Sequence, residues 1–469
     1  MWINNSKSKH SILIMLIDAF LINISIIFAY LIRFNFTLPA ENFQPYLQLF
    51  FWISLGSIFF LNIYHLYAIS PRTRWDDQFY SIVMAVSLTL MLSISLTYIS
   101  ANYAFPRSVF LISWFLQLVF LILWRYFLWK TTKKALGIQS ALIIGSLSDA
   151  MEIADRFVDF QESHMNIIGI ITEKQGSADE QCHAGEPEDG LPGRTVCRHM
   201  ILGEIEDFAE ILAGTSCDIV IVAPSLEASL KESIVCYCYS MGKEVFLVPE
   251  LYEVLLVKAN LNLIDDIPVF TVQDSNGGAN QVKRSLDLVI GLAAFVLTLP
   301  VMAVVALLVK LDSPGPVIYK QERVTKGGRL FTLYKFRTMI QDAEESTGPV
   351  FAVEDDQRAT RIGRFLRLSR LDELPQLINV IKGDMSLVGP RPERPFFVER
   401  YEKEIEGYTH RHRIKPGITG IAQIAGKYNT GPREKLVFDL LYAKKNDVLV
   451  DLQILLHTVK VLFMRNKAS

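Results

Sequence analysis

Four apolar segments, each long enough to cross a lipid bilayer, dominate the first part of the sequence. The core of a bilayer is about 30 Å thick, and a helix needs about 20 apolar residues to cross it. A hydrophobic content of 51% over 469 residues agrees with a large membrane part. The chain is therefore predicted to be a multi-domain integral membrane protein that begins with a four-helix transmembrane bundle, residues 1–135. The segments cover residues 11–32, 46–69, 79–100 and 109–129.

The basic residues around these segments predict the orientation of the bundle. They precede the first segment, join the second to the third, and follow the fourth. The positive-inside rule then places both ends in the cytoplasm, and the absence of a cleavage pattern predicts no cleavable signal peptide. Apart from Asp18, few charges lie inside the segments, so paired charges and a transport pathway are not expected. The basic residues are Lys7, Lys9, Arg72, Arg74, Lys130, Lys133 and Lys134.

A change of pattern near residue 136 marks a second domain, predicted to extend to residue 275. Short apolar runs alternate there with helical patterns, which is typical of a parallel, doubly wound sheet. The first strand–helix turn, GSLSDA, has one glycine, whereas close approach to a pyrophosphate needs three. A Rossmann-like α/β domain that only packs is thus favoured over one that binds a nucleotide. The apolar runs are SALIIGS, NIIGIIT, DIVIVAP and EVFLVPE.

All five cysteines lie between Cys182 and Cys238, with no spacing typical of a disulfide framework. The soluble parts are therefore expected in a reducing compartment. Cys182, His183, Cys197 and His199 lie in a polar loop that is typical of an insertion, and their spacing fits no standard zinc pattern. A zinc site there is a minor alternative.

A fifth apolar segment, residues 288–309, is also long enough to cross the bilayer. Pro300 lies near its middle, where proline removes a backbone hydrogen bond and clashes with the preceding turn. Basic residues flank the segment on both sides, including Lys283 and Lys310. Both observations favour a helix that breaks at Pro300 and re-enters the cytoplasmic leaflet. The alternative is a spanning helix, which would place the rest of the chain outside the cell.

The stretch RLSRLDELPQLINVIKGDMSLVGPRPERP, residues 367–395, places two adjacent acids before an amphipathic helix. Apolar residues recur with helical spacing after the acids, and Gly383 is a natural stop. Because Pro375 is tolerated only in a first turn, Asp372 is predicted to cap the helix, where backbone N–H groups and the helix dipole stabilise its anion. A capping box that starts at Ser369 is the alternative.

Basic residues surround these acids, in a part of the chain that is basic as a whole. Residues 283–469 contain 30 Lys and Arg against 21 Asp and Glu, whereas the remainder contains 17 against 28. A carboxylate kept ionised among arginines is suited to attack phosphorus, because the arginines bind phosphate and spread the charge of phosphoryl transfer. An aspartate that only caps is the alternative. The nearby basic residues are Lys335, Arg337, Arg361, Arg364, Arg367, Arg370 and Arg391.

Several motifs together resemble the bacterial sugar transferase domain of polyprenyl-phosphate sugar phosphotransferases. They are KRSLDLVIG, SPGPVIYKQERV, FTLYKFRTM, RLDELPQLINVIKGDMSLVGPRP and KPGITGIAQIAGKYN. The resemblance covers residues 281–469, and the bundle and the middle domain resemble the long form of that family. It implies a mainly helical catalytic domain that starts with a re-entrant membrane helix, about residues 285–309, kinked at Pro300.

The resemblance also implies a reaction: transfer of a sugar 1-phosphate from a UDP-sugar to undecaprenyl phosphate, with release of UMP. The family's acidic pair falls on Asp372, the implied nucleophile that forms an aspartyl phosphosugar, and on Glu373, which would help position the metal or the nucleophile. Mg²⁺ is the implied cofactor, held by these two acids. The implied phosphate- and donor-binding residues are Lys335, Arg337, Arg367, Arg391 and Asp439.

Other interpretations of single residues stay open. Lys335 and Arg337 also suit a basic surface against lipid headgroups, and Asp439 also suits a surface acid of a helix. The segment 451–463 has apolar residues on more than one face, which suits either an interfacial helix or a core helix.

The expected location is the inner (plasma) membrane of a bacterium, with the catalytic domain on the cytoplasmic face. The expected reaction is the first membrane step of exopolysaccharide, capsule or O-antigen synthesis. The expected partners are the UDP-sugar, undecaprenyl phosphate, the lipid bilayer and, as a homodimer, a second copy of the chain; nucleic acid is not expected. A non-catalytic membrane scaffold, which would not need Asp372, is the main alternative. A nucleotide-sugar oxidoreductase or epimerase is disfavoured by the single glycine of the middle domain.

Overall fold

The computed structural model describes residues 9–68, 73–100, 105–158, 165–173, 201–257, 260–264, 267–271, 279–341, 343, 356–426, 430–445 and 447–464. The chain forms two compact units, Met1–Glu250 and Leu251–Ser469. The division into three domains, at residues 135 and 275–281, stays a prediction. The zinc alternative lies outside the described residues, since it involves Cys182, His183, Cys197 and His199.

Apolar helices open the first unit, as predicted. Within the described residues, five helices of the chain are long and apolar enough to cross a membrane. Four of them correspond to the four segments at the start of the sequence, and that they span a bilayer stays a prediction. They are α1 (Lys9–Arg33), α2 (Ala40–Ile63), α3 (Trp75–Ile99) and α4 (Arg107–Leu136).

An ion pair lies buried among these helices. Arg125 of α4 donates hydrogen bonds to the carboxylate of Asp18 in α1 and to the carbonyl oxygen of Leu66. The prediction that the segments lack paired charges is therefore wrong. One arginine hardly changes the average hydropathy of a long segment, and its partner lies 107 positions away along the chain. A charge in apolar surroundings needs such a partner, because an unpaired one is costly to bury.

The middle region is a parallel sheet with helices on both faces, which confirms the predicted α/β pattern. It consists of β1 (Gln139–Ile144), α5 (Leu147–Val158), β2 (Met165–Thr172), β3 (Ile201–Glu204), α6 (Phe208–Gly214), β4 (Ile219–Val222), α7 (Ala228–Ser240) and β5 (Glu244–Leu247). The strand order is β3–β2–β1–β4–β5. Leu142 and Ile144 pack with α6 and α7, whereas Ala141 and Ile143 pack with α5. Alternate residues of one buried strand thus supply two cores.

The single glycine of the first strand–helix turn has a packing role. A Cβ atom on Gly145 would lie 2.3 Å from the Cβ atom of Ala223, which follows the neighbouring strand β4. No side chain fits at such a distance without a shift of the backbone. The close approach of two strands therefore accounts for this glycine without a bound nucleotide.

The second unit is mainly helical, as predicted, with small two-stranded sheets between the helices. Buried residues of several elements share one core, among them Val380, Met385, Val388 and Ile454. The elements are α8 (Leu251–Leu256), β6 (Asn260–Ile264), β7 (Ile267–Thr271), α9 (Ala279–Asp312), β8 (Ile318–Val324), β9 (Leu330–Phe336), α10 (Arg361–Ser369), α11 (Gln376–Lys382), β10 (Ser386–Val388), α12 (Pro395–Glu404), β11 (Gly417–Thr419), α13 (Ile421–Ala425), α14 (Pro432–Lys444) and α15 (Val448–Phe463).

The long apolar helix α9 differs from the prediction at Pro300. The helical conformation continues through this proline to Asp312, so there is no break in the helix itself. One side of α9 packs on the unit before and after the proline, with Phe295 in one core and Val305 in another. This packing along the helix offsets the hydrogen bond that proline removes. Large apolar residues on the rest of its surface are exposed: Val289, Leu292, Val296, Leu297, Val304, Leu307 and Leu311.

The last helix, α15, has both features that its sequence suggests. Ile454 and His457 are buried, whereas Leu449, Leu462 and Phe463 are exposed. One face of this helix belongs to the core of the unit. The other face exposes large apolar side chains. The structure is therefore compatible with both the core interpretation and the interfacial one.

Candidate active site

A sharp reversal of the backbone presents the two adjacent acids. Helix α10 ends at Ser369, and Arg370 then adopts the left-handed conformation with φ 57°. This conformation is uncommon for any residue but glycine. A short 3-10 turn, Leu371–Glu373, follows directly and leads into α11. Residues held in rare backbone conformations are frequent at functional sites.

The predicted capping role of Asp372 is wrong. Helix α11 has Pro375 at its cap position, with no side-chain cap hydrogen bond. The alternative capping box is wrong as well, because the hydroxyl of Ser369 donates to carbonyls of its own helix. The left-handed Arg370 starts a separate turn, so the acids lie inside that turn and do not cap α11. The predicted stop at Gly383 is confirmed, with φ 93°.

Glu373 is held by two cations. Its Oε1 accepts hydrogen bonds from Lys335 Nζ at 2.9 Å and from Arg391 Nη2 at 2.8 Å. Lys335 belongs to β9, and Arg391 follows β10, so tertiary structure assembles this contact. Burial alone would raise the pKa of Glu373, but Arg391 and Lys335 outweigh burial and hold that pKa well below its usual range. Glu373 is therefore an ionised carboxylate with both cations engaged on one oxygen.

Asp372 differs from Glu373 both in its contacts and in the direction of its pKa shift. It is 8% exposed and makes no hydrogen bond or ion pair with any residue that the structure describes. Burial raises the pKa of Asp372; Lys335 opposes this effect, and the charge of Glu373 adds to it. A carboxylate with a raised pKa and no partner to displace has the properties of a nucleophile. That Asp372 is the nucleophile stays a prediction.

The site carries more positive than negative charge. Lys335 and Arg391 both touch Glu373, and Arg370 lies close enough to lower the pKa of both carboxyls. Burial lowers the pKa of Lys335, Glu373 opposes this effect and Arg391 adds to it. Three cations around two anions are suited to bind further negative charge, such as the oxygens of a phosphate.

Arg337 and Arg367, two further residues predicted to bind substrate, have other partners. Arg337 is buried and donates to the carbonyl oxygens of Ser313 and Pro314 at 2.6 Å each. Arg367 donates from Nε to the hydroxyl of Thr338 at 3.1 Å. Both arginines thus hold connections between elements of the unit, and their roles in donor binding stay predictions.

Asp439 lies in the interior. This residue of α14 is buried, and its Oδ2 lies 2.9 Å from Nη2 of Arg411. Burial raises the pKa of Asp439 to about 6; Arg411 opposes the rise and Glu393 adds to it. The burial removes the alternative of a surface acid. The donor-binding role stays a prediction, since Asp439 has no described contact with the acidic pair.

Sequence reasoning missed the importance of Arg411 and of the backbone at Arg370. Arg411 lies in THRHRIKPG, where a run of basic residues is equally typical of a solvated surface. Its burial against Asp439 depends on the packing of α14, which no local pattern reveals. Arg370 was visible as one of several regularly spaced arginines, but its left-handed conformation was not.

The acidic pair supplies two carboxylates as metal ligands, so a metal ion there would need further ligands from the substrate. Among the residues that the structure describes, no group of three or more His, Cys, Asp or Glu side chains forms a metal site. The pair offers Asp372 and the second oxygen of Glu373, because Oε1 is engaged by two cations. Mg²⁺ usually binds one or two carboxylates together with substrate phosphates and water. The donor set fits Mg²⁺ in a complex with a diphosphate.

Comparison with known families assigns most of the chain. Residues 278–465 match the family described as bacterial sugar transferase. Residues 62–234 match the family described as CoA-binding domain. The first match contains the acidic pair and all three cations around it.

Known proteins similar to this chain include sugar phosphotransferases. A UDP-N-acetylgalactosamine-undecaprenyl-phosphate N-acetylgalactosaminephosphotransferase of Aeromonas hydrophila is 44% identical over 184 residues, 39% of this chain and 43% of that protein. A UDP-glucose:undecaprenyl-phosphate glucose-1-phosphate transferase of Xanthomonas campestris pv. campestris is 31% identical over 353 residues, 72% of this chain and 69% of that protein. An exopolysaccharide production protein of Rhizobium leguminosarum bv. phaseoli is 39% identical over 196 residues, 40% of this chain and 97% of that protein. The match thus spans less than half of the Aeromonas protein.

Proposed function

Since the chain belongs to the family of polyprenyl-phosphate sugar-1-phosphate transferases, we propose that it transfers a hexose 1-phosphate from a UDP-sugar to undecaprenyl phosphate and releases UMP. The observation that carries this proposal is the difference between the two adjacent acids. Glu373 is held by two cations, whereas Asp372 is free of partners among the described residues. A free carboxylate beside phosphate-binding cations is what nucleophilic phosphoryl transfer requires.

The proposed reaction has two displacement steps at the phosphorus next to the sugar. A carboxylate oxygen of Asp372 bonds to this phosphorus while the bond to the bridging oxygen breaks, and UMP leaves with that oxygen and its electron pair. A phosphate oxygen of undecaprenyl phosphate then bonds to the same phosphorus while the bond to Asp372 breaks. The second step forms undecaprenyl diphosphate sugar and restores the carboxylate.

The cations of the site are proposed to bind phosphate oxygens in both steps. Lys has three N–H donors and Arg has five, so Lys335 and Arg391 keep donors beyond those used on Glu373. Arg370 adds a third positive charge at the same place. Glu373 would then orient the two cations and take no covalent part. Mg²⁺, held by both acids and the diphosphate, would offset further substrate charge.

Helix α9 is proposed to lie in one leaflet of the membrane without crossing it. Asp287 near its start accepts from the backbone N–H of Leu387 at 3.0 Å, and Asp312 at its end accepts from that of Ile362 at 3.2 Å. Between these acids the helix is about 37 Å long, more than the bilayer core of about 30 Å. If α9 crossed, one compact unit would lie on both sides of the membrane. Contact at both ends therefore supports an arrangement in which α9 enters the membrane from one side and does not cross it.

The protein is proposed to lie in the inner (plasma) membrane of a bacterium, with the second unit on the cytoplasmic face. The exposed apolar surface of α9 supports this location, because it would hold the site at the membrane surface. There a soluble UDP-sugar meets a membrane-bound acceptor. The product would initiate the synthesis of an exopolysaccharide, a capsule or an O-antigen.

Release of UMP by the purified full chain tests this proposal. The donors are UDP-glucose, UDP-galactose and their N-acetylated forms, each with Mg²⁺ and with or without undecaprenyl phosphate. We expect turnover that requires the lipid with at least one donor, and no turnover by Asp372→Asn. Asp384→Asn is the matched control, because this acid lies at the far end of α11 and makes no described contact with the acidic pair.

Three other outcomes would contradict the proposal. Equal turnover by Asp372→Asn and wild type would show that the nucleophile is wrong. Equal losses in Asp372→Asn and Asp384→Asn, both folded, would show that turnover has no special need for the carboxylate of Asp372. Absence of UMP release with every donor, from protein that is folded, would favour the non-catalytic scaffold.

A further inference from the structure

The turn that carries Arg391 is fixed at each of four successive carbonyl oxygens. Two of its residues are prolines, which have no backbone N–H to donate. All four carbonyls accept from donors of other segments, and two of these donors are guanidinium groups. The hydrogen bonds run from Gly417 N to Pro390 O (2.8 Å), from Arg411 Nη2 to Arg391 O (2.9 Å), from Arg323 Nη1 to Pro392 O (2.8 Å) and from Val324 N to Glu393 O (3.1 Å).

Arg411 is the donor to the carbonyl of Arg391, the residue whose side chain contacts Glu373, and it is buried. Its Nη2 donates to the carbonyl of Arg391 and also lies 2.9 Å from Asp439, while Nη1 donates to the hydroxyl of Tyr408. The side chains of Arg411 and Asp439 are each 4% exposed. A buried ion pair contributes little net stability, because desolvation opposes the attraction. A role in geometry explains its presence better than a role in stability.

Arg391 connects this buried pair to the acidic pair. Its carbonyl accepts from Arg411, and its own guanidinium donates to Glu373 at 2.8 Å. We propose that Arg411 is a positioning residue: together with Asp439 it fixes the turn at Arg391, and thereby places the cation that holds Glu373 and binds substrate phosphate. This inference rests on the proposed function. It gives Asp439 an indirect role in place of contact with the donor.

Substitution of Arg411 by lysine is the test, since lysine keeps the charge but replaces the planar guanidinium, whose Nη2 lies against both the Arg391 carbonyl and Asp439, by an ammonium on a shorter stem. We expect kcat for UMP release to fall about 10- to 100-fold, with KM for the UDP-sugar changed less than about threefold. Tyr408→Phe leaves the contacts to Arg391 and Asp439 in place and should stay near wild type. Arg400→Lys is the matched control, because its pair with Glu404 is exposed, 63% and 49%.

Turnover per folded molecule separates positioning from a merely structural role. Arg391 accepts from Arg411 through its carbonyl and holds Glu373 through its guanidinium. If Arg411→Lys lets this turn shift, kcat falls although the folded fraction is kept. A loss of folded protein alone would lower the amount of active enzyme and leave kcat per folded molecule unchanged.

Rescue by guanidinium keeps the inference falsifiable if the lysine variant folds poorly. In Arg411→Ala, added guanidinium ion should bind beside Asp439 and restore part of kcat, while Arg400→Ala should not respond. Arg411→Lys with the kcat of wild type would overturn the inference, as would Arg411→Ala without rescue in its folded fraction. An inactive wild type would instead overturn the proposed function, so the two failures are distinguishable.

Discussion

Replacement of Lys335 by methionine tests the electrostatic account of the site. Methionine keeps a long apolar stem but removes the ammonium that donates to Glu373. The pair is largely enclosed, with side chains 19% and 10% exposed. Loss of one partner of a buried ion pair costs about 3–5 kcal/mol. Because Arg391, 40% exposed, stays on the same oxygen, we expect the lower limit, about 3 kcal/mol of unfolding free energy at neutral pH.

This loss should depend on pH in one direction. The pKa of Glu373 is depressed in the folded state, so its ion pairs contribute stability above the ordinary pKa of 4.5, and this stability disappears as the pH falls through the folded value. In Lys335→Met the pKa of Glu373 is higher, so the variant has less of this stability to lose. The difference between wild type and variant should therefore be largest near neutral pH and narrow below about pH 4.

Pulse proteolysis in urea, on the full chain in detergent, measures the change in stability, and UMP release measures turnover. If Lys335→Met also removes about 3 kcal/mol of transition-state stabilisation, its turnover should fall about 100-fold. Lys326→Met is the matched control, because this lysine lies exposed in the turn between β8 and β9. If both variants were equally stable at neutral pH, or if the deficit of Lys335→Met were unchanged at low pH, the ion-pair account would be refuted.

Two further predictions concern stability away from the acidic pair. Arg125→Met leaves Asp18 unpaired among apolar helices and should lower the free energy of unfolding by about 3–5 kcal/mol. Adding Asp18→Asn should recover part of this loss in melting experiments. A double variant as unstable as the single one would show that the pair is not responsible. Gly363→Ala would place a Cβ atom 2.0 Å from the carbonyl oxygen of Thr338 and should cost about 1–3 kcal/mol. Gly214→Ala, with nothing within 4 Å of the new atom, should keep or slightly raise the melting temperature, and equal effects of the two glycine variants would contradict this close approach.

The site shows where motif-based reasoning succeeds and where it stops. The acidic pair was identified from its motif, and Lys335 and Arg391 from the resemblance to a family; the structure brings these four residues together. Arg367 was selected by the same reasoning but bonds to Thr338. The left-handed Arg370 reverses the chain between Arg367 and the acids, so nearness in sequence does not become contact.

The charges of the four N-terminal apolar helices show a similar limit. Hydropathy found the four N-terminal helices because each is a local property of about 20 residues. Arg125 did not disturb that pattern, and its partner Asp18 belongs to another helix. A search of each segment by itself could count a charge, but it could not find the pairing that makes its burial tolerable.

The sequence by itself determined the apolar helices, the parallel strands of the middle region, the helical second unit and the identity of the acidic pair. These features depend on hydropathy, periodicity and short motifs, which neighbouring residues establish together. Only the tertiary structure decided that Glu373 is paired with cations and that Asp372 has no described partner. It also decided that Asp439 is buried against Arg411 and does not lie at the surface. The physical reason is that burial and charge act through distance in space. The charged groups that shift the pKa of Asp372 and Glu373 come from β9, from the turn after β10 and from Arg370, which follows α10.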